Sequence, residues 1–156
     1  MADKKSEQTI LVPVDFSECS ESALLFACEL ALALKCKLLV MHVIHDPGDA
    51  PGYYSVKGRK KQLKRMGDVA EEMLKSFIEK IKKNPAFCKS DRFEAKLVSG
   101  LPVTRILEIV ENTRPKMVVI GSHGRTGISR LLLGSKAEQL TQLCPVPVTV
   151  VKIPKQ

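Results

Sequence analysis

Two stretches of the chain carry residue types that could do chemistry. The first closes an apolar run: Thr9 to Val14, TILVPV, leads into Asp15-Phe16-Ser17 and so places a carboxylate at the end of a short hydrophobic segment. The second is Gly121-Ser122-His123-Gly124-Arg125-Thr126-Gly127, followed further on by Gly134-Ser135. Glycines at 121, 124 and 127 let successive backbone N–H groups turn inward, because glycine adopts conformations closed to other residues. Ser135 then opens a helix, and a helix start offers unpaired N–H groups and a partial positive charge that suit a phosphate. Plainer readings stand beside these. Ser135 to Glu138 is S-x-x-E, a capping box that accounts for Ser135 with no ligand, and Gly121 and Gly127 read equally well as turn residues. Neither G-x-G-x-x-G nor G-x4-G-K-[ST] is present, so dehydrogenase and motor-type NTPase readings lose support.

The elements that must position these residues follow from hydrophobic periodicity. Thr9 to Val14 is apolar and β-branched, as a strand buried on both faces should be. A helix runs from there to about Leu34, with Ala23, Ala27, Leu30, Ala31 and Leu34 on one side and Ser17 or Ser20 as N-cap. Lys37 to Ile44 reads as a second buried strand and His45 to Val56 as the longest loop. Leu63, Met66, Ala70, Met73, Phe77 and Ile81 then mark the core stripe of a basic amphipathic helix. Arg92 to Val98 alternates like a half-exposed edge strand, and Ser99-Gly100 turns the chain. Pro102 suits the first turn of the next helix and Pro115 its end. Lys116 to Ile120, Ser135 to Leu143 and Val146 to Ile153 complete the pattern as strand, helix and strand. The order βαβαβαβαβ implies one parallel sheet with helices on both faces, since each parallel pair needs a right-handed crossover. Residues 1–8 form a polar tail and 9–156 one domain. In such a sheet ligands bind beyond the carboxyl ends of the strands, at the point where strand order reverses. If the first and fourth strands are neighbours there, Asp15 and the glycine loop face each other across one crevice.

The spacing Gly121, Gly124, Gly134, Ser135 is G-x2-G-x9-G-S, and with it the sequence resembles the universal stress protein family, in its ATP-binding branch. Val12-Pro13-Val14-Asp15-Phe16-Ser17 resembles the family's first strand and turn, Gly100-Leu101-Pro102 its G-x-P, and Pro145 to Val151 its closing strand. The resemblance implies an open, doubly wound five-stranded parallel sheet in the order 3-2-1-4-5, adenine nucleotide alpha hydrolase-like. It further implies ATP, accompanied by Mg2+, between strands one and four. Carried over by position, Pro13, Val14 and Asp15 would lie along the adenosine and Val43 would line the adenine. Gly121, Ser122, His123, Gly124, Arg125, Thr126 and Gly127 would wrap ribose and phosphates. Gly134 and Ser135 would hold the outer phosphates, helped by the backbone of Lys136 and Ala137. His123 reads as loop structure rather than a catalytic base, and Lys136 departs from the apolar residue usual after the G-S pair.

Composition removes other classes. The 156 residues carry 44% hydrophobic and 27% charged side chains, an ordinary globular balance. The apolar stretch Ala23 to Val40 is broken by Glu29, Lys35 and Lys37, too often for a membrane span. With no apolar segment after the polar N-terminus to serve as a secretory signal, the expected place is the cytoplasm. The five cysteines and three histidines make no C-x-x-C pair and no zinc spacing. Cys19 alone looks partly exposable. The net charge of +8 raises nucleic acid as a partner, but the excess lies between Lys57 and Lys83, ten basic residues against four acidic, on the helix face turned to solvent. No aromatics interleave with it to stack bases, so nucleic-acid binding is not expected. The leading function is a nucleotide-binding stress or regulatory protein. The alternative is a slow or partner-dependent ATP hydrolase or phosphotransferase, for which Asp15 is the one candidate carboxylate and no second is fixed near the glycine loop. The last strand, as an apolar sheet edge, calls for a homodimer in which Val148 and Val150 meet their counterparts and contact centres on Thr149 to Ile153.

Overall fold

In the computed structural model the described residues are 8–46, 58–85, 87, 93–124 and 133–153. The elements alternate as expected: β1 (Thr9–Pro13), α1 (Glu18–Leu34), β2 (Lys37–His45), α2 (Arg59–Lys82), β3 (Phe93–Gly100), α3 (Pro102–Thr113), β4 (Met117–Gly121), α4 (Ser135–Leu143) and β5 (Val148–Val151). The strands form one sheet in the order β3-β2-β1-β4-β5, and every pairing is parallel. Order therefore reverses between β1 and β4, both of which leave the sheet at the same rim.

The central strand shows why this sequence takes this place. Ile10, Leu11 and Val12 are fully buried because helices cover both sheet faces, and a strand so placed has no polar side. Ile10 and Val12 join Ala23, Leu24, Ala27 and Cys28 of α1 and Leu74, Phe77, Ile78 and Ile81 of α2 in one core. Leu11 turns the other way, with Ile106 and Val110 of α3 and Ala137 and Leu140 of α4. Each large apolar side chain so buried contributes about 1.5–3 kcal/mol.

Several boundaries differ from the sequence reading, each for a local reason. Ser99 and Gly100 belong to β3 rather than to a turn, since Ile44 and His45 continue the ladder opposite them; β2 thereby extends to His45. β4 is displaced by one residue, to Met117–Gly121, because Gly121 pairs with Val151. β5 holds only Val148–Val151, short of the expected Val146 to Ile153, as Pro147 has no N–H to extend the ladder. Met66 and Met73, expected in the core, are 39% and 36% exposed. The 24-residue α2 overhangs the sheet, so its inward stripe is buried only at Ala70, Leu74, Phe77, Ile78 and Ile81. The overhang leaves an open, mostly apolar groove of about 340 Å³ between the end of β2 and α2. Among the described residues no helix is long and apolar enough to cross a membrane.

Candidate functional site

The β1–α1 turn aims the carboxylate. Phe16 takes a left-handed backbone, φ 65°, an arrangement that costs a non-glycine residue of order 1–2 kcal/mol. Its ring is held 4.2 Å from that of His42 and 5.5 Å from that of Phe77, contacts that offset the strain. His42 Nδ1 in turn donates to the Val14 carbonyl at 2.8 Å, and the Val14 N–H donates to the Met41 carbonyl at 2.8 Å. Asp15 Oδ1 accepts the Ser17 N–H at 3.1 Å and the Ser17 hydroxyl at 2.5 Å. Ser17 also caps α1, its Oγ accepting the Ser20 N–H at 3.2 Å. One serine thus starts the helix and pins one oxygen of the carboxylate.

The other carboxylate oxygen faces the glycine loop. A Cβ built on Gly124 would lie 2.5 Å from Asp15 Oδ2, so a side chain here would have to push the carboxylate aside. A Cβ on Gly121 would lie 2.8 Å from both the carbonyl carbon and the Cβ of Cys19, so β4 meets the first turn of α1 with no room for a side chain. Ser122 donates its N–H to the Val151 carbonyl at 2.9 Å and accepts the Gly134 N–H on its carbonyl at 2.8 Å. That second bond brings the start of α4 to the loop. Asp15, Gly121 to Gly124 and Gly134 to Ala137 therefore meet at one rim, as the sequence reading required.

At α4 the capping-box expectation fails. Gly134, with φ −65° and ψ 145°, is the N-cap, its carbonyl accepting the Glu138 N–H at 2.9 Å, and no side chain makes a cap bond. Ser135 is the first residue of the helix rather than its cap, because the bond from Gly134 to Ser122 already fixes where the chain enters. Its side chain is exposed, as is that of Lys136, while Ala137 is buried against α3 and the sheet. The N–H groups of the first helical turn have no helical partner and a partial positive charge, which suit an anion.

The remaining expected residues divide. Pro13 ends β1 and Val14 is buried against α1 and α2. Val43 packs toward the α3 and α4 side, two residues beyond the Met41 that pairs with Val14, and so lies on the same rim. Arg125, Thr126 and Gly127 lie outside the described residues. Cys19, expected to be partly exposable, is 2% exposed: α1 presses it against β4. The sequence reading also missed its partner. Cys19 Sγ lies 3.3 Å from His123 Nε2, whose other ring nitrogen, Nδ1, lies 3.0 Å from Ser122 Oγ. Nothing in the spacing of Cys19 and His123, far apart in sequence, signals that pairing; it follows from the adjacency of β1 and β4. Among the described residues no group of three or more His, Cys, Asp or Glu side chains is placed to hold a metal ion.

An open doubly wound α/β sheet, with an acidic turn, a glycine loop and a helix start at its switch point, defines a class of crevice proteins. Within it the chain belongs to the universal stress protein family, whose model matches residues 7–152. The universal stress protein MJ0577 of Methanocaldococcus jannaschii is 31% identical over 157 residues, covering 92% of this chain and 93% of that protein. The universal stress protein UspA from Lactobacillus plantarum shares the fold, with a TM-score of 0.75 at 19% identity, over 93% of this chain and 97% of the other. A universal stress protein in complex with cAMP shares it as well, with a TM-score of 0.64 at 24% identity, over 94% of this chain and 97% of that one.

Proposed function

We propose that this protein binds an adenine nucleotide, ATP foremost, at the rim between β1 and β4, and that occupancy regulates its partners in a stress response. The observation that carries the reading is the approach of Gly124 to Asp15, 2.5 Å from a built Cβ to the carboxylate oxygen. Loop backbone with no side chain between it and a pinned carboxylate is what a ligand gripped by main-chain groups requires. Asp15, with Pro13, Val14 and Val43 nearby, would take the adenosine. The N–H groups of Gly124, Ser135, Lys136 and Ala137 would take the phosphates, with Lys136 close enough in sequence to add its charge. Arg125, Thr126 and Gly127 belong to the same proposal on their sequence alone. The cAMP complex of a family neighbour supports an adenine nucleotide as the ligand class. Mg2+ would enter with the nucleotide: it is ordinarily held by phosphate oxygens, waters and one or two carboxylates, and Asp15 is the carboxylate at this rim. Mass spectrometry of gently purified protein, released under denaturing conditions, should show a co-purified adenine nucleotide, and calorimetry should show ATP binding to the emptied protein. Absence of both would overturn the reading.

A further inference from the structure

We propose that Cys19 is a peroxide-reactive thiol for which His123 is the base and Ser122 the orienting group. The three side chains form a chain of contacts: Cys19 Sγ to His123 Nε2 at 3.3 Å, and His123 Nδ1 to Ser122 Oγ at 3.0 Å. With Nδ1–H donating to Ser122 Oγ, Nε2 is the ring's acceptor and takes the thiol proton, the arrangement by which a cysteine nucleophile is activated. The other two cysteines of α1 and its C-terminal flank, Cys28 and Cys36, are buried in the apolar core, and the Cys36 thiol points to the Leu34 carbonyl at 3.6 Å.

The reaction is closed in atoms and electrons. The Cys19 sulfur attacks one oxygen of hydrogen peroxide, an S–O bond forms and the O–O bond breaks. The proton parked on His123 passes to the departing hydroxide, which leaves as water. Sulfur is oxidised by two electrons to a sulfenic acid and the peroxide is reduced. Because the thiol is 2% exposed, the oxidant must be small, and hydrogen peroxide is scarcely larger than two waters. The new oxygen has to be placed among Gly121, Ser122 and His123, so oxidation should displace the loop that faces Asp15. This inference stands on the Cys19, Ser122 and His123 geometry and does not require nucleotide binding.

The test exposes the folded chain to hydrogen peroxide, then quenches and denatures it in a cyclic diketone that traps sulfenic acids, with mass spectrometry reading each cysteine. Cys144, which is more exposed, is the internal reference. Cys19 should be trapped faster than Cys144, and His123→Asn should slow it about a hundredfold or more, the low end of what a positioned base supplies. The direction separates chemistry from cover: if His123 merely shields the thiol, the variant speeds the reaction. Cys19 remaining reduced while Cys144 is trapped, or an equal or faster rate in His123→Asn, overturns the proposal. Should that variant fail to fold, Ser122→Ala removes the hydroxyl that orients His123 and that also lies 4.0 Å from Cys19 Sγ, and should slow trapping severalfold; an unchanged rate overturns the proposal equally.

Discussion

Gly121 and Gly124 stand three residues apart and a Cβ on either would be crowded, yet replacing them should have different consequences: both variants lose some stability, and Gly124→Ala should also lose ATP affinity. In Gly124→Ala the new carbon would meet Asp15 Oδ2 at 2.5 Å, where ordinary contact begins at about 3.4 Å. The obstacle is the end of a side chain, so the carboxylate can swing away, but Oδ1 is tied to the Ser17 N–H at 3.1 Å and hydroxyl at 2.5 Å. The retreat sacrifices about one hydrogen bond to a charged group, of order 1.5–3 kcal/mol. Against this, alanine lowers the entropy of the unfolded chain, a gain of about 0.4–1 kcal/mol. The melting temperature should therefore fall by only a few degrees. ATP affinity should fall about tenfold or more, because carboxylate and loop are no longer in place together.

In Gly121→Ala the obstacle is the Cys19 main chain at 2.8 Å, inside the first turn of α1. Backbone cannot swing away, so the cost falls on folding: about 1–3 kcal/mol of overpacking, or roughly 2–4 °C in melting temperature for each kcal/mol in a chain of this size. Differential scanning calorimetry and titration calorimetry with ATP on the two variants read both axes. Wild-type ATP affinity in Gly124→Ala would refute the assignment of the site, and a wild-type melting temperature in Gly121→Ala would refute the packing argument.

Ser17→Ala removes the α1 cap and the hydroxyl bond to Asp15, leaving the Ser17 N–H bond to that carboxylate, and should cost about 1–2 kcal/mol in chemical denaturation; a change below half of that would show the cap to be replaceable by water. The Lys80 ammonium is raised above the ordinary lysine value of 10.5 by its hydrogen bond to Glu21 and that carboxylate's charge. A raised lysine stabilises fully below its unfolded value and loses the contribution as pH climbs through the folded one. Lys80→Met should thus leave the shape of the stability profile unchanged through neutral pH and flatten it only in the alkaline limb, as denaturant midpoints at successive pH values would show. At the sheet edge, the Pro147 and Val151 carbonyls serve β4, so by alternation the Val148 and Val150 main chains face outward. If β5 pairs with its own copy across a two-fold axis, Val150→Pro should turn a dimer into monomer in light scattering while Val150→Ala should not; a monomeric wild type would rule the pairing out. The outer face of α2 should bind DNA weakly at most, and with a steep loss as salt rises; tight, sequence-selective binding at physiological salt would contradict it.

How much of this was legible in the sequence depends on whether the signal was local. Strand β1 could be read because Ile10, Leu11 and Val12 lie in a short apolar run without alternation, ended by Asp15-Phe16-Ser17, as suits a strand covered on both faces. The start of α3 could be read because Pro102 is one of the few residues that mark a first turn by themselves. The close pairing of Asp15 with Gly124 was legible only through topology: once β1 and β4 are neighbours their ends must meet, and the glycines then have a reason to be glycine. The reading failed where tertiary context overrode a local pattern. Ser135 to Glu138 has the letters of a capping box, yet the Gly134 N–H donates to Ser122 and moves the cap one residue earlier. Met66 and Met73 keep helical spacing with Ala70 and Phe77, but α2 outruns the sheet and the stripe ends in solvent.

Phe16 had no signal at all, since a left-handed phenylalanine is disfavoured by its own backbone and is selected only by the rings of His42 and Phe77 that receive it. That residue links fold to site. The strain at Phe16 bends the chain so that Ser17 can cap α1 and hold Asp15 with the same hydroxyl, and the carboxylate then meets the loop at Gly124, where a side chain would displace it. Relaxing Phe16 would thus disturb the carboxylate before it disturbed the core, because Ile10, Leu11 and Val12 are packed by other contacts. A turn of this kind can be strained at little global cost, which is why the switch point, rather than the centre of the sheet, is where this chain can set a carboxylate against a glycine loop.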